Sequence, residues 1–285
     1  MHILSKTKLK KAIIFIRMEK IIAKKKFGQN FLKDKTVLHK IIEAMPKSDN
    51  KIVEIGPGLG DLTEELVKYK EVIAYEVDAD LIGVLENKFR NQIKSSKLTI
   101  KFGDVLDFWK ENRTLYSEGK YDLIANLPYY IATNIILNAF DDINCESIIV
   151  MIQKEVADKF TAKGGDSEFS ALGVISDLIA QESKIVTIVP PEAFMPMPKV
   201  DSAVIYIKKK PNFLVEKGFK DFLRAAFSSP RKKLSKNLTS IIKKERLDIL
   251  YKELEIKEDI RPHELSSSLY RQIYKEVIKN GNKQN

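Results

Sequence analysis

Cysteine is nearly absent from the 285 residues: Cys145 stands alone, so no internal disulfide can form and nothing points to an oxidising compartment. There are only three histidines, His2, His39 and His263, and none has cysteines beside it at ligand spacing, so no metal centre is expected. Long apolar runs are missing too. The first seventeen residues hold one short run, Ala12 to Ile16, which is too short to span a bilayer or to form a signal-peptide core. A cytoplasmic protein that needs no membrane is the expectation. Acid is scarce in two places. Residues 1–33 carry ten Lys/Arg against Glu19 alone, and residues 208–246 carry thirteen against Glu216, Asp221 and Glu245. With a net charge of +10, the rest of the chain is therefore acidic. Two basic regions flanking an acidic body suit a polyanion gripped at particular places, although solvated lysine-rich faces would look the same.

What is present describes a soluble globular protein, with 44% hydrophobic and 31% charged residues and length enough for one large domain or a domain with an appendix. Residues 1–23 read as a basic extension, either a disordered or transit-like arm or a stretch before a true start at Met18. Asp34 is a good N-cap for a helix carrying Val37, Leu38, Ile41, Ile42 and Met45. Strands and helices then alternate. Strands are expected at Ile52–Ile55, Val72–Glu76, Leu98–Phe102, Tyr121–Asn126, Ser147–Gln153, Lys184–Val189 and Ser202–Lys208. Helices are expected at Leu59–Tyr69, Asp80–Arg90 and Thr133–Phe140. This predicts an α/β protein with a doubly wound, mostly parallel sheet of seven strands, whose ligands sit at the carboxyl ends of the strands. Lys163 to Ser167 reads as a flexible loop. Beyond Pro211 the β-branched runs stop and helical spacing takes over, which predicts a small all-helical C-terminal part ending in a helix from His263 to Lys279.

Glu54-Ile55-Gly56-Pro57-Gly58-Leu59-Gly60 joins the first long strand to its helix. A glycine-rich turn there lets backbone approach a ligand, and alone it is equally at home with nucleotides. However, Asp61 stands where a third dinucleotide-type glycine would be, and Glu54 and Asp61 both disfavour a pyrophosphate. Glu76 ends the second long strand, where a carboxylate can accept both hydroxyls of a ribose. Asp104, after the third, is placed to accept from an adenine amine. Each acid alone could be a helix cap or turn residue. Together with the absence of basic phosphate binders they indicate S-adenosylmethionine.

Asn126-Leu127-Pro128-Tyr129 ends the fourth long strand. Asn126 offers an amide oxygen, Pro128 a carbonyl without an N–H, and Tyr129 a ring, a platform suited to a flat amine. Taken alone, the four residues also fit a strand-to-loop corner with a buried Asn.

With these motifs, the chain resembles the ribosomal RNA adenine N6,N6-dimethyltransferases over residues 24–240. Phe27-Gly28-Gln29-Asn30-Phe31-Leu32 and the stretch Val189 to Val204, with Pro190-Pro191-Glu192-Ala193-Phe194 and Pro196-Met197-Pro198-Lys199, carry the resemblance more specifically than the glycine turn. It implies a Rossmann-like class I methyltransferase sheet of seven strands in residues 24–210 and a small helical RNA-binding domain in residues 211–285. The implied activity is dimethylation of two adjacent adenosines in a hairpin loop near the 3′ end of small-subunit rRNA, on RNA or a pre-30S particle, by a monomer. Asn30, Leu32, Gly56, Glu76, Asp104 and Asn126 are the implied cofactor contacts. Leu127, Pro128 and Tyr129 complete the platform for the target amine, and Phe194 closes the far face of the adenine. Lys24, Lys25 and Lys26, with Arg231, Lys232 and Lys233, would hold RNA phosphates. Two departures stand out: Tyr130, where many relatives carry Asn or His, and Pro230 within the basic stretch. Two alternatives stay open, a large-subunit rRNA methyltransferase of the macrolide-resistance type and a non-catalytic nucleic-acid-binding factor of the same fold. Leu127 stands where DNA adenine methyltransferases usually carry proline.

Overall fold

The structure, a computed structural model, describes residues 29–281, with side chains to residue 278. Residues 1–23, Lys24, Lys25, Lys26 and the Phe27-Gly28 pair lie outside the described residues. The first elements are a two-residue strand β1 (Phe31–Leu32) and helix α1 (Lys35–Glu43), which starts where Asp34 accepts from the backbone N–H groups of Thr36 and Val37. Then come β2 (Lys51–Ile55), α2 (Asp61–Leu66), β3 (Val72–Glu76), α3 (Ala79–Lys88), α4 (Arg90–Lys94), β4 (Leu98–Phe102), α5 (Val105–Asn112), β5 (Tyr121–Asn126) and α6 (Ala132–Asp141). The second half holds β6 (Cys145–Gln153), α7 (Lys154–Thr161), α8 (Ala171–Ile179), β7 (Ala180–Val189), β8 (Phe194–Met195) and β9 (Ser202–Lys209). Helices α9 (Lys217–Ala226), α10 (Leu234–Leu238), α11 (Lys244–Glu253) and α12 (Ser267–Gly281) end the described chain.

Seven strands make one sheet in the order β4-β3-β2-β5-β6-β9-β7. The first five run parallel, while β9 is antiparallel to both β6 and β7. The winding reverses between β2 and β5, so the carboxyl ends of β2, β3, β4 and β5 converge at a switch point, where open α/β sheets hold ligands. The central strands are apolar on both faces: Ile148 to Ile152 in β6 are all buried, as a strand covered by helices on both sides requires. Alternate residues of each strand supply different cores. Val53, Leu123, Ile148, Val150 and Ile205 face one cluster, and Ile52, Ile124, Ile149, Met151 and Val204 face the other with α1. The first cluster runs without a break into Phe222, Leu223, Leu250 and Tyr270, so the helices beyond β9 share the core of the sheet. Among the described residues no helix is long and apolar enough to cross a membrane.

The structure corrects several local expectations. The helix expected over Leu59–Tyr69 is shorter at both ends, and the one expected to Arg90 stops at Lys88 and resumes as α4. Helices α5, α7 and α8 and the ribbon of β1 with β8 carried no expectation. The loop expected to be flexible is docked instead: Gly165 N–H donates to the His263 carbonyl at 2.8 Å, and Lys163 pairs with Asp177 at 2.5 Å, which also accepts from Ser267 Oγ. These contacts fasten the α7–α8 connection to the last helical segment.

Candidate active site

The turn after β2 is built from glycines for a backbone reason. Gly56, Gly58 and Gly60 have φ of +67°, +60° and +77°, a region costly for other residues, and a Cβ on Gly60 would lie 2.5 Å from the Phe89 ring. Lys88 Nζ braces the turn from behind, donating to the carbonyls of Leu59 (3.2 Å) and Gly60 (3.1 Å) while pairing with Glu64 (2.9 Å). Nothing local in the sequence marks this lysine, because it reaches back from the end of α3.

A cavity of about 210 Å³ opens at the switch point between this turn, the ends of β3, β4 and β5, and the Gln29–Leu32 segment. Among the described residues lining it are four carboxylates, Glu54, Asp61, Glu76 and Asp104, and no lysine, arginine or histidine. Such a donor set rejects a pyrophosphate and fits a cationic, hydroxyl-bearing ligand, which is what S-adenosylmethionine is. Asp61 is partly neutralised by Lys33, 2.6 Å away. Glu76 is buried; one carboxylate oxygen accepts from Gly58 N–H (3.2 Å) and the other from Asp78 N–H (2.9 Å), so it ties the glycine turn to the start of α3. Burial raises its pKa, with these backbone bonds pulling the other way. Asp104 is exposed and caps α5 through Leu106 N–H at 2.9 Å, so its cap role and its place on the cavity wall coexist.

Glu54 is the deepest of the four. Thr63 Oγ1 donates to it at 2.7 Å, and burial pushes the carboxyl from 4.5 up to about 8. Below the unfolded value both states are protonated and the stabilising contribution is complete. Between 4.5 and about 8 the unfolded chain ionises while the folded site keeps its proton, so stability is lost as the pH rises through that window. Glu54→Gln, which mimics the protonated acid, should therefore gain on the cofactor-free wild type in melting temperature as pH rises. A difference between the two that stays constant from acidic to mildly alkaline pH would refute this titration.

At the end of β5, Asn126 Nδ2 donates to the Asn30 carbonyl at 2.9 Å. That bond fixes the amide's orientation and leaves Oδ1 as its acceptor end. Leu127 is buried, with its N–H on the Met151 carbonyl at 3.1 Å. The structure corrects the role expected of Pro128. Its carbonyl already accepts from Ile131 N–H (3.2 Å) and Ala132 N–H (3.1 Å), since the chain turns into α6 there, and both lone pairs are used. Among the described residues no donor engages the Leu127 carbonyl, which leaves it as the candidate second acceptor beside Asn126. Tyr129 is held by a 2.6 Å hydrogen bond between its hydroxyl and Ser202 Oγ. Tyr130 is 64% exposed on the same rim, and the charge of Asp104 adds to burial in raising its pKa.

Asn30, Leu32, Gly56, Glu76, Asp104, Asn126, Leu127, Pro128 and Tyr129 thus meet around one cavity. Phe194 does not join them. It is 4% exposed and packs with Leu32, Val189 and Val204 in the α1-side core, so neither ring face is open to a base here. Phe31, which lies in the Phe27 to Leu32 motif but has no role of its own in the sequence reading, lines the cavity instead, its ring 3.0 Å from where a Cβ on Gly58 would be. Arg231, Lys232 and Lys233 are exposed before α10 and are not on the cavity wall; Arg231 and Lys233 line a separate cleft of about 830 Å³ with Lys257 and Arg261.

Comparison with known proteins adds to this geometry. The family described as "Ribosomal RNA adenine dimethylase" matches residues 21–279. A protein of Aliarcobacter butzleri named "Ribosomal RNA small subunit methyltransferase A" is 60% identical over 264 residues, covering 93% of this chain and 99% of that one. One of the same name from Sulfurimonas denitrificans is 55% identical, covering 90% and 95%. Among solved structures, a dimethyladenosine transferase from Plasmodium falciparum shares the fold at TM-score 0.73 and 24% identity, covering 88% of this chain and 98% of that one. The 23S rRNA methyltransferase ErmE shares it at TM-score 0.67 and 22% identity, covering 87% and 99%.

Proposed function

The chain belongs to the ribosomal RNA adenine dimethylase family, S-adenosylmethionine-dependent enzymes that methylate adenine in rRNA, and we propose that it dimethylates two adjacent adenosines in a hairpin loop near the 3′ end of small-subunit rRNA. The observation that carries the chemistry is the pair of acceptors at the end of β5, Asn126 Oδ1 held in orientation by the Asn30 carbonyl, beside a cavity whose charged side chains, among the described residues, are all acidic. The small-subunit substrate is supported by the relatives of that name, which match along almost their whole length.

When bound, S-adenosylmethionine would supply an electrophilic methyl group on a sulfonium, with the neutral thioether S-adenosylhomocysteine as leaving group. Glu76 would accept from the cofactor's ribose hydroxyls and Asp104 from its adenine amine, and the uncovered backbone at Gly56 would allow its close approach. The target adenine amine is a weak nucleophile because its lone pair is delocalised into the ring. Asn126 Oδ1 and the Leu127 carbonyl accept its two N–H bonds, weakening the conjugation of the lone pair with the ring and localising it on the nitrogen. Tyr129, pinned by Ser202, gives the base a flat face. The surplus proton on the methylated nitrogen leaves to solvent, so positioning and electrostatics carry the step without a strong base. After the first transfer one N–H remains, and one of the two acceptors suffices to orient it.

The work divides near residue 210: residues 24–210 bind cofactor and target, and residues 211–285 grip RNA. Arg231, Lys232 and Lys233, with Lys24, Lys25 and Lys26, hold phosphates of the free rRNA or the pre-30S particle, and the enzyme acts as a monomer. Labelled methyl transfer to undermethylated small subunits, large subunits and free RNAs tests the reading; label on large subunits alone would move the enzyme to the rival substrate, and no label anywhere would leave a non-catalytic factor. Charge reversal at Arg231, Lys232 and Lys233 is expected to flatten the salt dependence of RNA binding by about one unit of log–log slope for each phosphate that the protein no longer neutralises. An unchanged slope would place the RNA elsewhere.

A further inference from the structure

The ribbon of β1 and β8 pairs Phe31 with Met195 and Leu32 with Phe194. Directly paired residues of an antiparallel ribbon project their side chains from the same face. Leu32 and Phe194 face the core, so Phe31 and Met195 share the other face, and Phe31 identifies it as the one on the cavity. Met195 is nevertheless 65% exposed, followed by Met197 at 62% and by the exposed Val200. Single apolar side chains in solvent need no explanation, but three within six residues, the first of them paired with the cavity-lining Phe31, do. The segment is also poor in polar groups. Pro196 and Pro198 have no N–H, and no charged side chain occurs before Lys199, which is exposed.

We propose that Met195 and Met197 form an apolar shelf that receives the base of the nucleotide next to the target adenosine. The inference rests on the reading of the cavity as an rRNA adenine site. When the target base leaves its stack, its neighbour loses a stacking partner, and a polarisable thioether surface beside the cavity replaces it. Because such a shelf offers no hydrogen-bond code, it holds any base, and it steadies the strand while the target enters.

The test uses a hairpin RNA that carries the proposed target adenosine, and two further RNAs in which the nucleotide 5′ or 3′ of the target is abasic. Met195→Ala/Met197→Ala should raise KM for the intact RNA about tenfold, the low end of what removing a stacking surface costs, with cofactor KM unchanged. One of the two abasic RNAs should show a similar rise with the wild type and no further rise with the double variant. A double variant with normal RNA KM, or penalties that multiply for both abasic RNAs, would overturn the shelf. Failure of the wild type to methylate the intact hairpin would instead count against the proposed function, so the two outcomes are separable. Both methionines are exposed, so the variant should fold, which an unchanged melting temperature would check.

Discussion

Asn126→Ala is expected to lower turnover by about a hundredfold or more, the loss that follows removal of one positioned transition-state group, with a much smaller change in cofactor KM. The effect should exceed that of an ordinary hydrogen-bond deletion because Asn126 enters the reaction already oriented. Its nitrogen is committed to the Asn30 carbonyl, so Oδ1 need not reorganise when the target amine arrives. Asn126→Asp tests the same point from another side. It keeps the shape but sets a carboxylate oxygen against the Asn30 carbonyl, so the side chain must turn away and activity should fall again. Stability should suffer little, since one half-buried hydrogen bond contributes about 1 kcal/mol while Ala125 and Leu127 keep the strand end in the core. Single-turnover methyl transfer beside a thermal melt separates the two effects. Near-normal turnover in Asn126→Ala would remove this residue from the chemistry.

The residues that orient Asn126 also show where sequence reasoning reaches and where it stops. Strands β3, β4 and β5 can be bounded to the residue, because a buried parallel strand is a run of β-branched and aromatic residues closed by turn residues. Glu76 and Asp104 can be placed because each stands at or just after the end of such a strand. Pro128 takes a different partner from the one expected. A turn before the helix, not the helix itself, is responsible: the N–H groups of Ile131, the N-cap of α6, and of Ala132, its first residue, fold back onto the Pro128 carbonyl, and the acceptor left open is that of Leu127. Phe194 departs from its expected role for another reason. In a strand neighbouring residues face opposite ways, and only the pairing of β8 with β1 decides that residue 194 looks inward and 195 outward. Lys88 is invisible in the sequence because its partners, Leu59 and Gly60, lie 29 and 28 residues away. What local pattern encodes is legible; what depends on which strand meets which is not.

Glu76 joins both kinds of information, and its removal should have the second large effect. Sequence alone places a ribose acceptor at the end of β3, while the structure adds that the same carboxylate accepts from Gly58 and Asp78 N–H. Glu76→Ala would therefore delete the proposed ribose contacts and also leave the Gly58 and Asp78 N–H donors unpaired at the turn beside the cavity. Hydrogen bonds to a charged group are each worth about 1.5–3 kcal/mol, so losing two lowers affinity by roughly a hundredfold or more. Glu76→Gln keeps one acceptor oxygen but turns its NH2 toward an N–H donor, and an intermediate loss is expected. The pH dependence has a definite sign. Burial raises the Glu76 pKa above the usual carboxylate value, so acidification protonates it earlier than an exposed glutamate and removes an acceptor from the ribose. Wild-type affinity should therefore fall as pH drops toward that raised value, whereas Glu76→Gln, having nothing to titrate there, should bind with a flatter profile. Calorimetric titration with S-adenosylhomocysteine, which has the same ribose and adenine without the methyl group, measures both. A Glu76→Ala dissociation constant within a few-fold of wild type would show that the ribose is held elsewhere.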